Sequence, residues 1–160
     1  MKFLEKDLED IIYKADKETL KERGLSITGK LYRQLYIGGY GIADLVEIRR
    51  NTDIYDDCIG QYFSITVYEL KKGRIGCKAL LQAIRYARGI ERYLNKRFKG
   101  VNSYFHIVLI GNDIELDDFC YVESMMDNLS TYTYSYDVDG ISFQHMGDYY
   151  LRNEGFGYED

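Results

Sequence analysis

Residues 62–110 read YFSITVYELKKGRIGCKALLQAIRYARGIERYLNKRFKGVNSYFHIVLI, and the order of segments within them decides the fold. Residues 62–70 are β-branched and aromatic, the composition of a strand. Residues 77–97 gather Leu80, Leu81, Ile84, Tyr86 and Ala87 toward one side, which predicts a long amphipathic helix. Residues 104–110 are a near-continuous apolar run, as expected of a strand buried on both faces. Strand, helix and strand in this order predict a crossover that joins two parallel strands.

The flanks extend this core in both directions. Leu4, Leu8, Ile11, Ile12 and Ala15 recur at helical spacing, so residues 2–22 read as one helix that stops at Arg23-Gly24. Residues 30–37 and 42–48 read as strands around the turn Gly38–Gly41, and residues 49–60 as a polar loop. A short helix is expected over 117–127. A hairpin is expected from 131–136 and 141–145 around Val138-Asp139-Gly140. The last dozen residues read as a polar tail. Together these predict an α/β protein in which helices flank a mixed central sheet, with αβββαβ as the core order. One domain is expected over 1–160, with its core at about 3–146, and 160 residues suit a single domain.

Composition narrows the classes of function. The apolar fraction is 46%, and no apolar run approaches the roughly 20 residues that span a bilayer, so no membrane role is expected. Cys58, Cys77 and Cys120 are odd in number and widely spaced, which fits neither a disulfide framework nor a zinc site. They are read as reduced thiols and the compartment as cytoplasmic, the host cytoplasm if the gene is viral. The net charge of −5 is unevenly spread. Residues 71–99 hold ten Lys or Arg and one acid, while residues 100–160 hold one base and twelve acids. A basic segment inside an acidic chain is the footprint that a phosphate backbone needs.

One pair of strands carries residues with a chemical use. Asp44 interrupts the apolar strand 42–48, and Glu69 stands near the end of strand 62–70. Lys71 follows Glu69 by two, so the strand period puts both on one face. If the strands pair, two carboxylates and a backbone carbonyl make an oxygen-rich site for Mg²⁺ or Mn²⁺, and the ammonium can serve a phosphate.

Gly41-Ile42-Ala43-Asp44, then Val67-Tyr68-Glu69-Leu70-Lys71, then Gln82-Ala83-Ile84-Arg85-Tyr86 resembles the PD-(D/E)XK nuclease superfamily over roughly residues 3–110. The likeness is to its RecB-like, resolvase-like and NucS-like members. Ala43 stands where the superfamily often has proline. The resemblance implies a restriction-endonuclease-like fold and Mg²⁺- or Mn²⁺-dependent hydrolysis of DNA. Asp44 and Glu69 would bind the metal, and Lys71 and Gln82 would complete the catalytic set. Glu5, from Glu5-Lys6-Asp7-Leu8, would be the first-helix acid, with Glu9 as the alternative one turn later. Lys72, Arg74, Lys78, Arg85, Tyr86, Arg88 and Arg92 would contact DNA. A homodimer or a larger nuclease complex is a possible assembly. The rival readings are a catalytically inactive binding or assembly module of the same fold, and an inhibitor-like interaction domain using the acidic C-terminal surface.

Weaker motifs remain. Gly24–Lys30 spells the start of a phosphate-binding loop, but Leu31 replaces the hydroxyl residue and the segment follows a helix. His106 and His145 lack partners at zinc spacing. Cys77 starts a helix beside basic residues but has no evident partner base.

Overall fold

The computed structural model describes residues 5–55, 58–115 and 118–147. The expected tail and the first residues of the opening helix lie outside them. Its elements are α1 (Glu5–Lys14), α2 (Lys17–Glu22), β1 (Lys30–Tyr36), β2 (Ile42–Tyr55), β3 (Cys58–Leu70), β4 (Arg74–Ile75), α3 (Cys77–Arg97), β5 (Asn102–Gly111), β6 (Asp113–Ile114), α4 (Asp118–Ser124), β7 (Leu129–Asp137) and β8 (Gly140–His145). Six strands form one mixed sheet in the order β1-β2-β3-β5-β7-β8. The β1-β2-β3 meander and the β7-β8 hairpin are antiparallel, and β3 pairs parallel with β5, as the segment 62–110 predicts. The pair β4 and β6 forms a separate parallel fragment.

Helices cover both faces of the sheet. On one face, α3 lays Ala79, Leu80, Ala83, Tyr86, Ala87, Ile90 and Leu94 over Ala43, Val46, Ile65, Val67, Ile107 and Leu109, joined by Phe119 of α4. Those spacings of three and four are why this segment is a helix with one buried stripe. On the other face, Leu8 and Ile12 of α1 and Leu20 of α2 pack on Leu45, Tyr68, Leu70, Val108 and Ile110. No helix among the described residues is long and apolar enough to cross a membrane.

Two boundaries differ from the sequence reading. The opening helix is two helices, because Asp16 adopts an extended backbone and caps α2. Its carboxylate accepts from Thr19 N at 3.0 Å. Residues 49–55 and 58–60, expected as loop, are strand, and residues 56 and 57 lie outside the described residues. Strands β2 and β3 continue as a hairpin to the pair Tyr55↔Cys58. Asn51, Asp53 and Gly60 are poor strand formers, but the ladder itself holds them there.

A third feature bears on the site. Gln34 is the one described non-glycine residue with positive φ, at 49°. Leu31 and Leu35 of β1 pack into opposite clusters, and so do Ala43 and Leu45 of β2, where strand periodicity would put each pair on one face. Both strands therefore switch face at the Gln34 and Asp44 level. This twist delivers Asp44 to the sheet margin beside α1.

Candidate metal and phosphate site

Leu45 pairs with Tyr68, so the antiparallel ladder brings Asp44 level with Glu69 at the next position. Asp44 Oδ2 accepts the Leu70 backbone N–H at 3.1 Å, which fixes the carboxylate against the end of β3. Glu69 is 1% exposed, with Val67 and Leu109 of its own layer packed against α3. Its Oε1 accepts from Lys71 Nζ at 2.6 Å. Its Oε2 is buried with no hydrogen-bond partner among the described residues.

The first helix closes on the same spot. Glu5 Oε2 accepts the Lys72 backbone N–H at 3.2 Å, and Glu5 Oε1 lies 3.9 Å from Lys71 Nζ. Glu9, one turn later, is buried and differently engaged. It holds Arg33 through a salt bridge and the Gln34 amide at 2.5 Å. Arg33 also pairs with Asp10. Glu5, Glu9, Asp10, Arg33, Gln34 and Asp44 line an open cleft of about 770 Å³. Of the two first-helix acids, Glu5 touches the lysine of the E-x-K motif, while Glu9 pins the residue where the strands switch face.

The electrostatics follow from burial. Desolvation pushes the Glu69 carboxyl up to about 7 against the opposing hydrogen bond from Lys71, and the Asp44 charge adds to the rise. Asp44 is also raised by burial, partly offset by the Leu70 N–H and the Lys71 charge. Burial disfavours the Lys71 ammonium, but its hydrogen bond to Glu69 and the surrounding carboxylates outweigh this and hold its pKa above the ordinary lysine value. Two carboxyls raised chiefly by burial, beside a charged ammonium that opposes the rise, mark this spot as a candidate functional site.

Among the described residues no group of three or more His, Cys, Asp or Glu side chains is arranged to hold a metal ion. Two carboxylates still suit Mg²⁺, which is held by one or two carboxylates and keeps several waters. The orphaned Glu69 Oε2 is an acceptor that such an ion or its water would satisfy.

Lys78, Arg85, Arg88 and Arg92 lie on the exposed face of α3, and Lys72 and Arg74 are exposed just before it. Two of them adjoin the turn that leads into β2. Arg85 donates to Gly39 O at 3.4 Å, and Arg92 donates to the Tyr40 hydroxyl at 2.5 Å. Arg74 and Arg88 are engaged by Asp113 and Glu91. Tyr86 departs from the expectation of a DNA contact. It is 6% exposed, faces the core, and accepts from the half-buried Gln82 amide at 2.7 Å. The reason is its place in the buried stripe of α3. Gly41, at φ 112°, leaves room for the ring, since a side chain there would meet it at 3.0 Å.

The other motifs resolve into structural roles. The backbone N–H of Thr28 reaches Glu47 Oε1 at 2.8 Å, and Gly29 N–H donates to the same oxygen. A buried carboxylate thus occupies the donors that a phosphate would need in the Gly24–Lys30 segment. Glu47 also accepts from Tyr68 Oη at 2.7 Å, and burial beside that carboxylate holds the phenol far above its ordinary pKa. His106 bonds Ser130 Oγ at 2.8 Å, and burial lowers its pKa. Cys77 is a free thiol at the start of α3.

Sequence reasoning did not single out Arg33 or Gln34, and it read Tyr134 only as one of the alternating tyrosines 132, 134 and 136 expected to pack on one face of the sheet. Tyr134 donates to Lys72 O at 2.9 Å, so it braces the segment after Lys71 from β7. No local motif marks these residues, because each is defined by a contact across the fold. Comparison with family models, with curated proteins and with solved structures gives no match to this chain.

Proposed function

We propose that this chain is a Mg²⁺- or Mn²⁺-dependent deoxyribonuclease of the PD-(D/E)XK type, with a restriction-endonuclease-like fold. Asp44 and Glu69 would hold the cation, and Lys71 would serve the scissile phosphate. The observation that carries this reading is Glu69, a buried carboxylate with one oxygen on Lys71 and the other without a hydrogen bond among the described residues. An unsatisfied buried acceptor is costly, and a ligand that supplies positive charge removes the cost. When bound, the cation would supply Lewis acidity at the phosphate.

The chain's own groups then have separate tasks. Lys71, charged and steadied by Glu69, neutralises a phosphate oxygen. Glu5 and Tyr134 hold the Lys72 backbone from two sides, which limits the freedom of the lysine beside it. Gln82 can exchange its bond to Tyr86 for a phosphate oxygen. Lys72, Arg74, Lys78, Arg85, Arg88 and Arg92 offer positive charge to the strand backbone.

The decisive experiment is cleavage of single-stranded, duplex, flap and four-way DNA in Mg²⁺, Mn²⁺ and EDTA, with melting curves under the same conditions. EDTA-sensitive cleavage of at least one substrate is expected. The melting temperature should rise with cation concentration, by a stabilisation of about 2.7 kcal/mol at one hundred times the dissociation constant. Asp44→Asn should lose most of that rise. No cleavage, together with equal cation responses in the two proteins, would reject the reading.

DNA binding should also weaken steeply with salt. Each phosphate contact on duplex DNA contributes about −0.9 to the slope of log affinity against log salt. The triple variant Arg85→Gln/Arg88→Gln/Arg92→Gln should flatten the slope by up to about 2.7, three such contacts, in fluorescence anisotropy titrations. Its melting response to Mg²⁺ should be unchanged. An unaltered slope would move the DNA surface off α3.

A further inference from the structure

We propose that the β-arm formed by residues 49–55 and 58–61 is where two copies of this chain associate. The sheet ends before the arm does. On one side, β1 pairs with β2 only as far as Lys30↔Ile48. On the other, β5 pairs with β3 only from Tyr62↔Asn102 onward. Beyond those points β2 and β3 pair with each other alone among the described strands, through Asp53↔Gly60, Ile54↔Ile59 and Tyr55↔Cys58. Among the described residues both outer edges of the ribbon are therefore without a strand partner, and such an edge is a template for another chain.

Near the far end of the ribbon, one face carries two exposed apolar side chains. Ile54 and Ile59 stand directly opposite each other, so they share a face, and they are 76% and 71% exposed. Strand periodicity puts Phe63, opposite Arg50, on that same face at the base of the arm. Phe63 packs against Phe98, with ring centroids 5.2 Å apart, and Phe98 is itself 42% exposed. One face thus carries two isoleucines toward the tip and Phe63, opposite Arg50, at the base, separated by polar Thr52 and Gln61.

This pattern is self-complementary. Two arms laid antiparallel about a two-fold axis put the isoleucines of each against the phenylalanines of the other. That is the isologous contact of a symmetric dimer. Duplex DNA is the other occupant a two-stranded ribbon can take, in the major groove. The charge opposes it, because segment 49–61 holds Arg49 and Arg50 against Asp53, Asp56 and Asp57. Dimerisation through the arm stands independently of the nuclease reading, since no residue of the candidate site takes part.

Sedimentation velocity and light scattering over a concentration series test it. The wild-type chain should reach twice the 18.8 kDa of one copy. Ile54→Lys/Ile59→Lys should stay at 18.8 kDa throughout, with an unchanged melting temperature measured at monomeric concentration. Ile54→Thr/Ile59→Thr keeps β-branched side chains, and so the ribbon's own ladder, and decides the matter should the lysine variant misfold. It should weaken the dimer at least about tenfold, the effect of removing apolar area at both ends of the contact. A wild-type chain that remains at 18.8 kDa, or a dimer that the threonine variant leaves as strong, would overturn the proposal.

Discussion

Lys71→Met, Glu69→Gln and Asp44→Asn should each lower Mg²⁺-dependent DNA cleavage by about 10³-fold or more, with far-UV circular dichroism unchanged. Each substitution keeps the side chain's size and removes its charge. The three groups form one unit: Lys71 is held by Glu69 at 2.6 Å, and Asp44 is fixed to the same strand end through the Leu70 N–H at 3.1 Å. Groups that act as a unit are strongly non-additive. The double variant Glu69→Gln/Lys71→Met should therefore be little slower than either single one. Single-turnover cleavage of whichever substrate the wild type cuts is the measurement. Wild-type turnover in any one variant would remove that residue from the chemistry.

Without metal, Glu69→Gln should be more stable than wild type at pH 8, and the advantage should vanish below about pH 4.5. Burial lifts the Glu69 carboxyl from 4.5 to about 7, so between those values the folded protein holds a proton that the unfolded chain has released. Wild-type stability therefore falls as pH rises through that window. The displacement corresponds to about 3 kcal/mol at pH 8, an upper figure because the variant also deprives Lys71 of its partner. In a chain of this size that is roughly 5–10 °C in melting temperature. Taking the difference between the two proteins cancels the carboxylates that titrate the other way, such as Asp16, which its Thr19 hydrogen bonds hold low. Saturating Mg²⁺ should shrink or reverse the advantage. A pH-independent difference would mean that Glu69 is ionised and satisfied in the folded protein.

Much of this architecture is written in local patterns. The buried stripe of α3 and the double-sided apolar run of β5 identify both elements and the parallel crossover between them, because burial imposes the periodicity directly. Asp44, Glu69 and Lys71 are legible as a set because strand spacing places them at adjacent ends. The hairpin β2-β3 was not legible past Ile48. Its outer residues owe their conformation to the partner strand rather than to their own preferences. The split of the first helix was available in Asp16 and Thr19, three apart, but the apolar recurrence on either side of it runs through the break. The face switch at Gln34 has no sequence signature, since glutamine at positive φ is uncommon. Nor does the engagement of Glu9 by Arg33, which depends on where the switch leaves them.

The sheet topology also sets an order in which contacts become affordable during folding. The β2-β3 ribbon closes a connection of only two residues between Tyr55 and Cys58, so its ladder is entropically cheap. The β3-β5 ladder must first close a loop that contains the whole of α3, and topologies rich in such distant pairings fold slowly. The contact between Glu5 and Lys72 joins positions 67 residues apart and comes from the first described turn of the chain. Carboxylates from α1, β2 and β3 thus converge only once this distant contact is made. Mutual repulsion among them weighs on that closing contact rather than on the hairpin. Removing a charge there should slow unfolding while leaving the refolding rate nearly unchanged.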